Sequence, residues 1–227
     1  KIKNYNEILL GWDEKIESTQ VKYTDQLKKI YFASSEGTYL EQEIPDITLS
    51  LFAVAKEGSN NIQQAFESAG EAGGYEMIKD KEELAEKTAS LAVELLSANP
   101  VEGGSYPVIL NPLLAGVFIH EAFGHLCEAD HIYKNDRLKE LMELGRDFNN
   151  PKLNVVDEGY VPGMRGNTPY DEEGVKRKKT YLIRNGKLNS FLHSRETAKK
   201  MEQETTGNGR AISYRHQPIV RMTNTYI

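Results

Sequence analysis

The chain has 227 residues, one cysteine and a formal charge of −6, from 28 basic and 34 acidic side chains. That length supports one large domain or two small ones, each with a real core. The acidic balance argues against a nucleic-acid partner, no apolar run approaches the ~20 residues of a membrane span, and a lone Cys127 excludes an internal disulfide and fits a reducing compartment.

The first residue is Lys1, with no charged-then-apolar signal segment behind it, and Ile219 to Ile227 reads as a strand cut off mid-flow. Both ends therefore predict a fragment of a longer protein.

Residues 14–78 predict an antiparallel meander. Ile16 to Tyr23 and Leu27 to Ala33 are strand candidates, Ser34 to Gly37 is a turn, and Thr38 to Glu43 resumes until Pro45-Asp46 interrupts. Ile47 to Ala55 alternates with period 2 in its first part. Glu57 to Asn61 is a second turn, and the glycines of Ser68 to Gly74 predict a bent edge after Ile62 to Glu67. Asp80 then predicts a helix cap. Acids fill the first turns, Leu84, Thr88, Leu91 and Leu95 share a face, and Asn99-Pro100 stops the helix. The expected division is a β-rich domain over 1–79, a connecting helix over 80–99 and a mixed α/β module over 100–227.

In that last module Val108 to Leu110 is a short strand candidate, and Asn111-Pro112 starts a helix with Asn as cap and Pro at the first position. This helix is apolar nearly all round, which predicts burial. A polar helix follows over Asp136 to Asp147, then a strand over Leu153 to Val156 and a glycine-punctuated loop to Gly166. Asn185-Gly186 between alternating runs predicts a hairpin. Arg195 to Gln203 predicts a helix, and Thr205 to Arg210 a mobile loop. The predicted fold class is α+β, organised around a buried helix bearing a metal motif.

That motif is His120-Glu121-Ala122-Phe123-Gly124-His125, continued by Cys127, Glu128, Asp130 and His131. Histidines four apart lie about 40° apart around a helix, whereas five apart they lie about 140° apart and cannot share an ion. A π turn, which adds one residue, restores a common side, and Gly124 is the residue best able to absorb it. With zinc at His120 and His125, Glu121 is placed to accept a proton from an attacking water. Cys127 falls on the wrong side of the helix, and Asp130 could orient a histidine from behind. On spacing alone a metal site stands only slightly ahead of a buried polar network.

The same segment closely resembles the His-Glu-x-x-x-His signature, with an aspartate five residues on, of TldD-like subunits in the TldD/PmbA family. Val156 to Gly159, Asp171 to Val175, Leu182 to Gly186, Thr206 to Arg210 and Arg221 to Thr225 resemble further family blocks in family order. The resemblance implies a cytoplasmic zinc peptidase acting on unfolded peptides, as a homodimer or paired with a PmbA-like subunit. It implies His120 and His125 as ligands, Glu121 as the catalytic base, and a third ligand, a cysteine, beyond this sequence. It also implies that 1–79 is the middle domain, that 100–227 is the first part of the catalytic domain, and that an N-terminal domain is missing. Arg221, Thr223 and Asn224 are candidates for lining the cleft. The competing reading is a non-catalytic peptide-binding or partner subunit whose histidine cluster is structural.

Overall fold

A computed structural model describes residues 1–227. The fold is α+β with antiparallel sheets, and the chain forms two compact units, 1–28 with 44–106 and 29–43 with 107–227.

The first unit is built on a three-stranded sheet, ordered β1 (Ile16–Ala33), β2 (Tyr39–Glu57) and β3 (Asn61–Glu71). The outer parts of β1 and β2, residues 29–43, belong to the second unit. On β2 the alternation runs the whole way: Ile47, Leu49, Leu51, Ala53 and Ala55 are all buried on one face. Pro45 does not interrupt this strand. The antiparallel β2–β3 register ends at Ile47 opposite Glu71, so at Pro45 the strand has lost its β3 neighbour and the missing N–H costs no bond on that side. The glycine-rich tail likewise pairs regularly as far as Gly70 and Glu71.

Two helices cover the buried face. Helix α1 (Ile2–Leu10), which has no capping side chain to announce it, buries Tyr5 and Leu9, and the Tyr5 hydroxyl donates to the Ile78 carbonyl at 2.8 Å. Helix α2 (Glu82–Glu94) buries Ala85, Thr88, Ala89 and Ala92. Asp80 is not its cap. Its φ of 54° puts it in the left-handed region, and its carboxylate lies 3.6 Å from Lys1 Nζ instead.

In the second unit, helix α3 (Pro112–Ile119) runs into a π turn, His120–Gly124, and a 3-10 turn, His125–Cys127. Short helices α4 (Ala129–Ile132) and α5 (Asp136–Leu141) follow, the latter capped by Asn135. A four-stranded sheet has the order β6 (Lys187–Leu188), β5 (Lys179–Arg184), β4 (Val155–Glu158), β9 (Asn224–Tyr226). Asn185 and Gly186, both at positive φ, close the β5–β6 hairpin. Helix α6 (Arg195–Lys200) opens on a Ser194 capping box, and β7 (Gly209–Arg210) pairs with β8 (Ile219–Val220). No helix is long and apolar enough to cross a membrane.

Further expectations fail in the second unit. Val108 to Leu110 forms no strand. Thr206 to Gly209 is buried and tied down rather than mobile: the Thr206 hydroxyl accepts from His193 N at 2.7 Å, and Gly209 N donates to Asp171 at 2.8 Å. Helix α3 is largely exposed, with only Ile119 buried and Leu113 at 76% and Phe118 at 56% exposure. An all-round apolar helix needs neighbours on several sides, and this chain supplies them mainly along β9 and the following turn.

His193, leading into α6, is 1% exposed, its Nδ1 lies 3.2 Å from the Thr197 hydroxyl, and its Nε2 has no partner. Burial lowers its pKa from 6.5 to about 4, against a smaller opposing pull from Asp130. The folded state therefore holds this ring neutral. Its stabilising contribution is complete above the ordinary histidine pKa and is lost as pH falls towards the folded value, a change of about 3 kcal/mol. Urea titrations at pH 7 and pH 4.5 should show a stability loss that His193→Gln reduces.

Candidate metal centre

Asn111 and Pro112 start the element that carries the site. The Asn111 side chain accepts from Leu114 N at 2.8 Å, and Pro112 occupies the first turn without needing its missing N–H. Eight residues on, the helix widens into the π turn at His120, where the five-residue histidine spacing requires it. The two imidazoles meet edge to face, their centroids 4.7 Å apart and their planes at 81°. One ligand atom each from His120, Glu121 and His125 lie within 4.8 Å of one another. Both histidines are half-buried and Glu121 is exposed. The Glu121 carboxylate makes no hydrogen bond or ion pair in the chain.

Gly124 serves a different purpose from the expected one. Its φ of −56° and ψ of −48° are ordinary helix, so no glycine-only conformation is used. What matters is space: a Cβ there would lie 2.2 Å from Sδ of the buried Met222. Gly124→Ala should cost about 1–3 kcal/mol through overpacking. A thermal melt should show that loss, and the double variant Gly124→Ala/Met222→Ala should lose less than the two single changes added together.

Behind the histidines the chain leaves the helix at Glu128, whose φ and ψ are −73° and 109°. The azimuths of an unbroken helix therefore do not apply beyond Cys127. The Glu128 side chain is fully buried. Its Oε2 accepts from Arg221 Nη1 at 2.8 Å and lies 3.3 Å from His125 Nδ1 and 3.6 Å from His131 Nε2, while Oε1 accepts from Met222 N at 3.4 Å.

Asp130 does not take the orienting place. Its Oδ2 accepts from Val220 N at 2.5 Å, tying β8 to this segment. Cys127 is wholly buried in the core, and burial, then the nearby Glu128 and Asp157, push its thiol pKa up. A protonated core thiol is no metal ligand.

The remaining candidates divide. Arg221 reaches the site through Glu128. Thr223 and Asn224 serve the fold: Thr223 N and Oγ1 both donate to Asp157 at 2.8 Å. Asn224 accepts from Gly166 N at 3.0 Å and donates to the Glu158 carbonyl at 2.8 Å. Asp157, which no metal motif marks, is the organising residue. It is 1% exposed and also accepts from Thr225 Oγ1 and from Asn208 Nδ2. A surface depression beside the motif is lined by Asp130, His131, Lys134, Glu196, Pro218 and Arg221, among others.

The donor set suits a borderline ion. Two imidazoles on an accessible surface fit zinc, with a carboxylate beside them and the fully buried thiol set apart.

An α+β fold with a His-Glu-His cluster on a π turn points to the metallopeptidases, and sequence comparison agrees. Family profiles described as the PmbA/TldA metallopeptidase central domain and C-terminal domain match residues 1–96 and 103–227. The chain belongs to the PmbA/TldD family of metallopeptidases.

It is 44% identical over 224 residues to a metalloprotease of Synechocystis sp., covering 99% of this chain and 48% of that protein. It is 45% identical over 216 residues to one of Methanocaldococcus jannaschii, covering 95% and 47%. A zinc metalloprotease TldD homolog of Saccharolobus solfataricus is 32% identical over 215 residues, covering 93% and 47%. The chain thus spans about half the length of the curated relatives it matches. A solved Thermotoga maritima structure superposes with a TM-score of 0.81 at 27% identity, over 99% of this chain and 50% of that one. TldE from Thermococcus kodakarensis shares the fold, with a TM-score of 0.73 at 18% identity over 97% and 49%.

Proposed function

We propose that this chain carries the metal-binding part of a zinc-dependent peptidase subunit that hydrolyses unfolded peptides. The observation that carries the reading is the convergence of His120, Glu121 and His125 to within 4.8 Å on an accessible surface. When bound, zinc supplies a Lewis acid for the scissile carbonyl and lowers the pKa of water to about 7. His120 and His125 would hold the ion. Glu121 takes the proton of the attacking water on its carboxylate and returns it to the departing amine. Catalytic zinc usually has three protein ligands. The two imidazoles therefore leave room for a third.

The competing reading makes the cluster structural and the subunit a peptide-binding partner. A structural acid is normally engaged by the donors around it, as Asp157 is by four. Glu121 is exposed and unengaged, which suits a proton carrier. We place the working subunit in the cytoplasm, as a homodimer or paired with a PmbA-like subunit. Zinc analysis of the whole protein tests the reading: about one ion per subunit, lost in His120→Ala and His125→Ala, is expected. Retention of zinc in both variants would overturn it.

A further inference from the structure

His125 offers one of its two ring nitrogens to the cluster with His120 and Glu121, and a carboxylate stands beside Nδ1. Nδ1 is 3.3 Å from Oε2 of Glu128, a carboxylate with no exposure to water. Two other groups hold that carboxylate in place, the Arg221 guanidinium at 2.8 Å and Met222 N at 3.4 Å. A carboxylate favours a proton on the nitrogen nearest it and disfavours a lone pair there, an effect solvent weakens only on the His125 side, whose side chain is 42% exposed while that of Glu128 is fully buried. The neutral imidazole then carries its lone pair on the other nitrogen, Nε2.

We propose that Glu128 is the positioning residue of the metal centre. It fixes His125 as the Nδ1–H tautomer with Nε2 presented to the ion, and Arg221 is the clamp that keeps Glu128 aimed. This inference rests on the metal reading above. Carboxylates behind ligating imidazoles orient the ring and raise its donor strength, and their loss typically weakens metal binding about 10- to 100-fold. The geometry gives Arg221 this role beside its place in the lining of the surface depression, since its Nη1 is engaged by Glu128 and by the Val220 carbonyl at 3.0 Å. His131, 3.6 Å from the same oxygen on its more exposed side, is a neighbour of the carboxylate and not part of the clamp.

The test is zinc affinity of the whole protein by chelator competition, with cobalt absorption as a report on ligand geometry. Glu128→Gln keeps the shape of the side chain and removes its charge. It should weaken zinc binding about 10- to 100-fold and alter the cobalt spectrum. If Glu128 only braces the fold, its variant melts lower and binds zinc with unchanged affinity, which overturns the proposal. Wild-type protein that binds no zinc at all sinks the metal reading itself, a different result.

Should Glu128→Gln fail to fold, nitrogen NMR of the His125 ring in unsubstituted, metal-free protein near pH 8 decides the question. The Nδ1–H tautomer is expected, and a predominant Nε2–H tautomer overturns the proposal.

Discussion

Glu121→Gln should lower kcat for hydrolysis of an unfolded peptide about 100- to 10,000-fold, the usual contribution of a positioned general base. Zinc content should stay at the wild-type level, because both imidazoles remain and Gln keeps the length of the side chain. The carboxylate sits within 4.8 Å of both histidine donors and is engaged by nothing else, so the substitution removes a proton acceptor without breaking a structural contact. KM should change far less than kcat, since the acid acts on the proton in flight and not on substrate binding. Peptide cleavage assayed beside metal analysis of the same sample separates these effects. Wild-type kcat in the variant would remove Glu121 from the mechanism.

The largest effect on stability is expected at Asp157. Its two oxygens accept from Thr223 N, Thr223 Oγ1, Thr225 Oγ1 and Asn208 Nδ2, all at 2.8–2.9 Å. Asp157→Ala leaves these donors without an acceptor where water has little access, at a cost of about 3 kcal/mol or more. Asp157→Asn, which turns one acceptor into a donor, should fall between Ala and wild type. The consequence reaches the metal centre. Asn208 also donates to the Arg221 carbonyl at 3.0 Å, so releasing it loosens the segment that carries the clamp on Glu128. Urea unfolding measures the first effect, and zinc affinity of the folded fraction measures the second. A loss below 1 kcal/mol in Asp157→Ala would show that water replaces the carboxylate.

Much of the candidate site was legible because its rules are local. The five-residue spacing of His120 and His125 demanded a π turn, and the turn is there. Asn111-Pro112 announced the start of α3, and Asn185-Gly186 announced the β5–β6 hairpin. Period-2 alternation on β2 marked its buried face, and it continues through Ala53 and Ala55. Where a local rule misled, a distant partner was the cause. Pro45 sits in a strand because β3 ends before reaching it. Glycine at position 124 leaves room for the Met222 side chain and does not serve its own backbone. Thr206 to Gly209 has the composition of a mobile loop, yet His193 and Asp171 hold it in the interior.

The sequence by itself therefore determined the α+β class, the helix that carries the motif, the irregular turn within it and the residues that can hold a metal. Each of these follows from spacing along a single stretch of backbone. Tertiary structure alone decided which carboxylate stands behind His125, what Arg221 does, and which apolar surfaces are covered. Glu128 and Arg221 are 93 positions apart, and Asp157 and Thr223 are 66 apart. Charge and burial act through space, so no local pattern records which distant side chain arrives, or that most of α3 meets none in this chain.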